Sequence, residues 1–313
     1  MAVPGGTTTT DALPVTALIA TIRGWPTCRQ AVSLIAPEVH AAGGEFIVAD
    51  ASGNPPPSEA DRAELGGPIR WLSMPGQSVF QLRHAGYRAA RGAVVAITED
   101  HVYVAPDWVE RVLDAHRRYP NAGAIGGTVL NNTDQKLVDW AAFFLTQGPF
   151  MPPLANGVTS RISGPANVSY KRRVLERLGG DADHGVIDFL ELPAALEGEE
   201  LVADDSIKVR HNQSQGLLGT SRAEYDNGRT IAGYRRRQMA RGDWLRICLS
   251  PVLPTYRAVR QMRIVRGKDM QPGMTVGRMT RALPAHLWFQ YCAMAGELVG
   301  YAAGPGDSPR RLY

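Results

Sequence analysis

Cysteine is scarce in this 313-residue chain, and Cys28, Cys248 and Cys292 lie far apart. Their spacing fits neither a zinc finger nor a disulfide framework, and it favours a reducing cytosol. The first 11 residues contain no basic residue and no apolar core, which argues against a signal peptide. We therefore expect residues 1–12 to be a disordered leader and the protein to be cytoplasmic.

Long hydrophobic runs are also missing. The most conspicuous apolar stretch, residues 283–303, is too polar for a membrane span, which needs about 20 predominantly apolar residues. Its interruptions are of two kinds, namely His286, Gln290 and Glu297, and the glycines Gly296 and Gly300. We expect an interfacial or core-packing helix there.

The composition is that of an ordinary globular protein, with 44% hydrophobic and 20% charged residues. The length allows one α/β domain with appendages, or two small domains. From Arg229 onward, 14 arginines and one lysine stand against four carboxylates, a net charge of +11, so the first 228 residues carry −7 of the total of +4. Such a basic C-terminal third indicates an anionic partner.

The first 130 residues alternate between apolar, β-branched runs and stretches with helical spacing. This alternation predicts an α/β fold with a doubly wound, mostly parallel sheet. The expected strands are residues 15–22, 45–49, 69–72, 94–98 and 122–130, and the expected helices are 26–42, 77–91 and 106–119.

The alternation weakens after residue 130, and residues 134–163 contain no motif that we recognise. Further on, the pattern predicts a strand at 166–170, helices at 172–178 and 186–196, and one or two short strands within 201–209. From Leu217 the pattern is helical, and we expect Pro251, Pro254, Pro272 and Pro284 to break it. There is no internal repeat.

One apolar run ends in Glu99, Asp100 and His101. In open α/β sheets, ligands bind outside the carboxyl ends of the strands. Carboxylates and an imidazole at such an edge are suitable ligands for a divalent cation. The alternative is that these acids only cap the next helix or face solvent.

The order of motifs from about Val15 to Arg229 resembles that of family 2 glycosyltransferases. The motifs are Phe46–Gly53, Leu82–Gly92, Thr98–His101 and Gly164–Arg172. The resemblance implies a GT-A fold, Rossmann-like, with helices on both faces of the sheet and a helical C-terminal extension. It also implies a metal-dependent transferase that uses a nucleoside-diphosphate sugar as its donor.

The resemblance assigns the nucleotide to Thr21 and Arg23 after the first strand, to Asp50 after the second, and to Arg83 in the helix 77–91. Asp50 matches the acid that hydrogen-bonds the base in this family, but Ala51 replaces the second acid, so the sequence does not identify the nucleobase. The alternative for Arg83 is a surface arginine in an ion pair.

In this family the acidic motif holds Mg²⁺ or Mn²⁺ against the diphosphate. Asp100 is therefore the first candidate ligand, and His101 follows it, while Glu99 is assigned to the nucleotide site. His211 resembles a late family histidine near the metal or diphosphate, although a single histidine is more often structural. Imidazole ligands favour Mn²⁺ over Mg²⁺.

The resemblance places the acceptor near Asn167 and Ser169, whose alternative role is to satisfy backbone groups in a turn. The catalytic base falls on the helix 186–196, where Asp188 and Glu191 share a face because they are three residues apart. Asp188 is the preferred base, and its alternative role is a helix cap.

The basic C-terminal third, residues 229–303, interleaves arginines with aromatic and aliphatic residues at helical spacing. Basic amphipathic helices of this kind lie on anionic membrane surfaces, so we expect a protein that is peripheral on the inner face of the cell membrane. Solvated helices and a homo-oligomer interface are alternatives. Nucleic acid is not an expected partner, because no nucleic-acid-binding motif accompanies the arginines.

These observations predict a transferase domain at residues 13–228 and a basic helical extension at 229–313. The predicted activity is inverting, metal-dependent transfer of a single sugar to a hydroxyl acceptor, with a lipid-linked acceptor of cell-envelope glycan or glycolipid synthesis as the candidate. The Gln-x-x-Arg-Trp element of processive synthases is absent from the sequence.

Two alternatives remain open. A sugar-phosphate nucleotidyltransferase would share the sheet, but its glycine-rich first loop is missing after Thr21. A non-catalytic sugar- or partner-binding scaffold would explain why Ala51, Glu99 and His101 depart from the family's acids.

Overall fold

A nine-stranded mixed sheet is the centre of the molecule in a computed structural model that describes residues 13–132, 136–179, 185, 188–236, 239, 245, 247 and 251–312, with backbone only at 188–190. In chain order the strands are β1 (Val15–Thr21), β2 (Glu45–Asp50), β3 (Ile69–Ser73), β4 (Val94–Glu99), β5 (Val102–Val104), β6 (Ala122–Asn131), β7 (Gly157–Val158), β8 (Val168–Lys171) and β9 (Glu200–His211).

Ten α-helices accompany these strands in the described ranges. They are α1 (Arg29–Ala41), α2 (Glu59–Ala63), α3 (Val79–Ala89), α4 (Trp108–Arg118), α5 (Leu137–Thr146), α6 (Arg172–Leu175), α7 (Asp188–Ala195), α8 (Gly216–Arg235), α9 (Leu253–Arg266) and α10 (Val276–Ala303). Short 3₁₀ helices lie at Gly148–Phe150 and Ser308–Arg311.

The first four strands in the order β3-β2-β1-β4 are all parallel. Thr21 at the end of β1 is in register with Asp50 at the end of β2, and Ala20 is in register with Glu99 at the end of β4. The carboxyl ends of three predicted strands therefore meet at one edge, where ligands bind in open α/β sheets.

Beyond β4 the sheet changes direction. β8 is antiparallel to both β4 and β6, and β9 is parallel to β6 but antiparallel to β5 and β7. Only half of the eight pairings are parallel, so the expected mostly parallel sheet is mixed in this structure. β9 is one strand of 12 residues, where the sequence predicted one or two short strands.

Helices cover both faces of the sheet, as expected. On one face α1 buries Val32, Ile35 and Val39, which recur at helical spacing, together with Val112 of α4. Each fully buried aliphatic side chain of this size stabilises the fold by roughly 1.5–3 kcal/mol relative to exposure.

On the other face, α3 packs directly on β1. Its amino terminus is fixed by a capping box, in which Ser78 Oγ accepts from the Gln81 N–H and Gln81 Oε1 accepts from the Ser78 N–H. Gly86 allows the close approach, because a Cβ there would overlap the Leu18 side chain. Packing on β1 brings Arg83 of α3 to the carboxyl edge of the sheet.

The C-terminal helices form a layer with α5, which the sequence analysis did not predict. Trp140, Phe143 and Phe144 of α5 are fully buried, and Phe289 of α10 belongs to the same hydrophobic core. Pro284 lies inside α10 and does not break it, contrary to expectation, because residues on both sides of it are packed in the core.

Glycines set the contact between α8 and α10. A Cβ at Gly296 would overlap the Tyr225 carbonyl oxygen, and a Cβ at Gly228 would overlap that of Ala293. The expected core-packing role of residues 283–303 is therefore correct for this helix. None of the described helices has both the length and the apolar character that crossing a membrane requires.

Candidate active site

The candidate site lies where β1, β2 and β4 end. Thr98, the last buried residue of β4, donates from Oγ1 to the Ala166 carbonyl oxygen at 3.0 Å. This bond holds the end of β4 against the loop that enters β8. The chain then turns, so that Glu99, Asp100 and His101 are presented at the edge of the sheet.

Asp100 is enclosed by Arg23 and Thr21 and is only 3% exposed. Thr21 Oγ1 donates to Asp100 Oδ2 at 2.6 Å, Arg23 Nε donates to the same oxygen at 3.1 Å, and Arg23 Nη2 donates to Oδ1. The Thr21 hydroxyl also accepts from the Gly24 N–H at 3.0 Å. Burial alone would raise the pKa of Asp100, but hydrogen bonds from His101 and Arg23 hold it well below its usual range.

Glu99 lies with two imidazoles. Its Oε2 is 3.3 Å from His211 Nε2 and 3.8 Å from His101 Nε2, and the two rings meet edge to face at 4.7 Å. Burial disfavours the charged carboxylate, but His211, His101 and Arg83 outweigh it and lower the pKa of Glu99 to about 2. Burial also lowers the pKa of His211.

The ligand atoms of Glu99, His101 and His211 fit a divalent cation. All three lie within 4.8 Å of one another. Ligands about 2.1 Å from a shared metal are roughly 3.0–3.5 Å apart, so small side-chain movements would close the set. One carboxylate and two imidazoles suit Mn²⁺ and other first-row metals better than Mg²⁺.

The pairing of β5 with β9 explains why His211 lies here. Val102 is in register with His211, and the Asn212 N–H donates to the His101 carbonyl oxygen at 3.1 Å. His101 and His211 were both predicted near the metal, and the structure brings them together. The carboxylate near both imidazoles is that of Glu99, which had been assigned to the nucleotide, whereas Asp100, the first candidate ligand, bonds to Arg23 and Thr21 and lies 2.8 Å from His101 Nδ1.

Asp50 and Arg83 lie at the same edge. Asp50 is buried, its Oδ1 accepts from the Ser52 N–H at 2.8 Å, and its Oδ2 has no hydrogen-bond partner among the described residues. Arg83 is buried as well, with Nη2 3.7 Å from Glu99 Oε1. The alternative of a surface arginine is therefore wrong for Arg83, because it lies inside the site.

Asn167 and Ser169 serve the fold. Asn167 Nδ2 donates to the carbonyl oxygens of Thr128 and Ile207, both at 3.0 Å, and its Oδ1 accepts from Trp108 Nε1 at 3.1 Å. Both residues are 1% exposed. The acceptor-binding interpretation does not hold in this structure, because these side chains are buried and bonded to the protein itself.

Ser169 is held in the same way. Its Oγ lies 2.9 Å from His116 Nε2 and 3.4 Å from the Ile125 carbonyl oxygen. Burial and the charges of Lys171 and Arg173 lower the pKa of His116 to about 3, so this imidazole is neutral.

The two candidate bases belong to α7, as predicted. The helix begins at Asp188, whose side chain lies outside the described residues. Glu191 is half-buried, and its Oε2 lies 4.0 Å from where a Cβ on Gly179 would be. The choice between these two carboxylates stays a prediction.

Comparison with known proteins supports the fold and the family. Residues 45–179 match the family model described as Glycosyl transferase family 2. A glucosyl-dolichyl phosphate glucuronosyltransferase of Haloferax volcanii is 28% identical over 171 residues, which cover 46% of this chain and 49% of the relative. The chain thus matches about half the length of that relative.

Among solved structures, the chain is similar to a mannosyltransferase of Pyrobaculum calidifontis, determined in complex with GDP-Man and Mn²⁺. The TM-score is 0.56 at 14% sequence identity, and the match covers 92% of this chain and 87% of the other. At this identity the likeness establishes a shared fold.

Proposed function

We propose that this chain, which has the GT-A fold and matches the model of glycosyltransferase family 2 over residues 45–179, moves a single sugar from a nucleoside-diphosphate donor to a hydroxyl acceptor. The observation that supports this proposal most strongly is the meeting of Thr21, Asp50 and Glu99 at one sheet edge beside two imidazoles. That edge combines groups for a base, a diphosphate and a cation.

We assign the cation to Glu99, His101 and His211, with Asp100 as a neighbour that takes part once Arg23 moves away. When bound, a divalent ion there would supply Lewis-acid stabilisation of the charge on a departing nucleoside diphosphate. Mn²⁺ fits the imidazoles best, and the similar mannosyltransferase was solved with Mn²⁺.

The nucleotide is assigned to Asp50, Arg23 and Arg83. Asp50 Oδ2 is a buried acceptor that would take a hydrogen bond from the base. The guanidinium groups of Arg23 and Arg83 have the planar geometry that binds phosphate oxygens in pairs. In this structure they contact Asp100 and Glu99 instead, so donor binding would exchange one anion for another.

The proposed chemistry is a single displacement with inversion. A carboxylate of α7, Asp188 or Glu191, accepts the proton of the acceptor hydroxyl. The acceptor oxygen forms a bond to the anomeric carbon of the sugar as the bond from that carbon to the phosphate oxygen breaks. The nucleoside diphosphate leaves with the electron pair.

A lipid-linked acceptor is the candidate that two observations support. The Haloferax volcanii relative is named for a glucosyl-dolichyl phosphate substrate. In this chain, seven of the 12 exposed large hydrophobic side chains among the described residues lie from residue 229 onward, in the basic third. We propose that this third lies on an anionic membrane surface at the cytoplasmic face.

The test is a thermal-shift screen with UDP, GDP, dTDP and CDP, each with and without Mn²⁺. A nucleotide at 100 times its Kd stabilises the native state by about 2.7 kcal/mol, so we expect a metal-dependent rise in Tm for one of them. Glu99→Gln should abolish that rise, whereas Asp114→Asn, which changes an exposed carboxylate of α4, should retain it.

Two results would count against the proposal. If no nucleotide raised the Tm of the wild type, the donor site would be wrong. If one nucleotide did so but none of its sugar conjugates turned over, the non-catalytic scaffold would be the better description.

A further inference from the structure

A cavity lies among α8, α9 and α10, away from the candidate site at the strand ends. Its volume is about 630 Å³, and an adjoining cavity of about 280 Å³ shares Pro149, Arg161, Arg260 and Ile264 with it. The two form one cleft, which we call the arginine cleft. Its size is that of a small-molecule site.

The cleft is built from helix faces. Glu224, Asn227, Ile231 and Arg235 follow one face of α8, and residues 257, 260, 261 and 264 follow one face of α9 at spacings of three and four. The cleft therefore lies where the faces of three helices, α8, α9 and α10, meet.

Four arginines line the cleft, and the described residues supply no counter-ion for two of them. Arg257 pairs with Glu297 at 2.8 Å. Within the described part of the chain, no carboxylate is within ion-pair distance of the Arg161 or Arg260 guanidinium, and Arg161 lies over the Phe150 ring at 5.2 Å. Both arginines line both parts of the cleft, and burial and the charge of Arg260 lower the pKa of Arg161.

Glu224 adds little negative charge to the arginine cleft. The residue is 9% exposed, and burial raises the pKa of its carboxyl to about 7. Much of it is therefore protonated near neutral pH, when it can donate a hydrogen bond. Two like charges beside a neutral acid form an environment that an anion would stabilise.

The smaller part of the cleft extends toward the segment that enters β8. Gly126, Ile162 and Ser163 line it there. Ser163 belongs to the same loop as Ala166, whose carbonyl oxygen accepts from Thr98 just before Glu99. A ligand anchored in the cleft would thus lie beside the loop that supports the candidate cation site.

We propose that the arginine cleft binds a phosphate or diphosphate ester through Arg161 and Arg260. Guanidinium groups bind phosphate in pairs of hydrogen bonds, and the amides of Asn227, Gln261 and Gln290 could contact sugar hydroxyls. The identification of this ester as the phosphorylated acceptor rests on the proposed function. The phosphate site itself does not.

The test is calorimetric titration of the full chain with inorganic pyrophosphate in EDTA, which removes metal-dependent binding at the donor site. We expect Arg161→Ala and Arg260→Ala each to weaken binding at least tenfold. Arg263→Ala removes the same charge from α9 outside the cleft and should change binding less than twofold. Arg23→Ala, at the donor site, should also bind like the wild type.

Loss of binding in Arg23→Ala with retention in Arg260→Ala would overturn the proposal, as would failure of the wild type to bind. Unchanged thermal unfolding of each variant would show that it is folded. The nucleotide screen on Arg260→Ala separates the two proposals, because the donor response should persist there whether or not pyrophosphate binds.

Vesicles containing phosphatidylglycerol identify the source of the phosphate. If the ester belongs to an acceptor, Arg260→Ala and Arg263→Ala should lower vesicle binding equally, since each removes one charge. A much larger loss for Arg260→Ala would assign the cleft to a membrane headgroup and overturn its role in acceptor binding.

Discussion

Glu99 and Asp100 are neighbours in the chain, and they share His101 but otherwise have different partners. Asp100 accepts from Arg23 and Thr21 and lies 2.8 Å from His101 Nδ1, while Glu99 lies 3.3 Å from His211 Nε2 and 3.8 Å from His101 Nε2. A one-residue step past the end of a strand turns successive side chains to opposite sides. Which carboxylate meets His211 is decided by this alternation and by the position of β9.

Substitution of Asn167 tests whether its buried side-chain amide stabilises the fold. Asn167→Ala would leave Trp108 Nε1 and the carbonyl oxygens of Thr128 and Ile207 without their partner. Since an unsatisfied buried polar group costs about 1–3 kcal/mol, we expect the free energy of unfolding to fall by about 3 kcal/mol. Urea denaturation measures this loss.

Asn121→Ala is the matched control, because Asn121 is exposed and its substitution should change stability by no more than about 0.5 kcal/mol. If Asn167→Ala kept wild-type stability but lost acceptor turnover, the acceptor-binding interpretation would be restored.

Glu224 makes stability depend on pH. Its pKa in the folded state is about 7, above the ordinary value of 4.5, so the folded state binds more protons than the unfolded state between these values. Stability is therefore full below about pH 4.5 and declines as the pH rises through 7, by up to about 3 kcal/mol.

We expect Glu224→Gln to remove this decline, because the amide does not titrate. Unfolding free energies at pH 5 and pH 8 provide the comparison. Glu200→Gln changes an exposed carboxylate and should follow the wild-type curve. A decline equally steep in Glu224→Gln would show that another group is responsible.

At the scale of elements, the sequence predicted the strands that carry Thr21, Asp50 and Glu99, because each is an apolar run with a polar residue at its end. It did not predict β5, which has three residues, or the long strand β9. β5 and β9 pair with each other although more than 100 residues separate them in the chain, and a local sequence pattern does not predict such a pairing.

The missed helix α5 has a recognisable signal. Residues 137–145 are apolar except for Asp139, so the periodicity of an amphipathic helix is absent. A helix that is hydrophobic all round is buried, and α5 is buried by α8 and α10. The same packing holds α10 together across Pro284, where local propensity predicted a break.

Gly296 fixes the distance between α8 and α10. In Gly296→Ala the Cβ would overlap the Tyr225 carbonyl oxygen, which belongs to the backbone and cannot rotate away. We expect the free energy of unfolding to fall by about 1–3 kcal/mol, despite the higher helix propensity of alanine.

Gly277→Ala is the control in the same helix, because a Cβ there has no neighbour within 4 Å. It should leave stability unchanged or raise it by up to about 1 kcal/mol. Equal effects of the two substitutions in urea denaturation would mean that the helices do not pack this closely.

At the scale of the whole molecule, charge is divided between an acidic body and a basic C-terminal third. The same third exposes Val252, Tyr256 and Trp288. Together these features predict adsorption to vesicles that contain phosphatidylglycerol, with weaker adsorption to phosphatidylcholine alone.

In a vesicle sedimentation assay, the salt concentration separates the electrostatic contribution to adsorption from the hydrophobic contribution. The Debye length falls from about 10 Å at 0.1 M to 3 Å at 1 M, so the electrostatic part should decrease steeply with salt. Val252→Ser, in the basic third, should reduce the adsorption that remains at high salt, while Val158→Ser, an exposed residue of β7 outside the basic third, should not. Equal adsorption to both lipids would contradict the prediction.

The arginines that pair with Asp100 and Glu99 also bear on the order in which ligands bind. Arg23 stands against Asp100 and Arg83 against Glu99, so these four groups are electrically balanced before any ligand enters. A divalent ion alone would add two positive charges to these four balanced groups, and a diphosphate alone would add only negative charge. Each ligand supplies the counter-charge of the other, so metal and nucleotide should enter as one complex and release together.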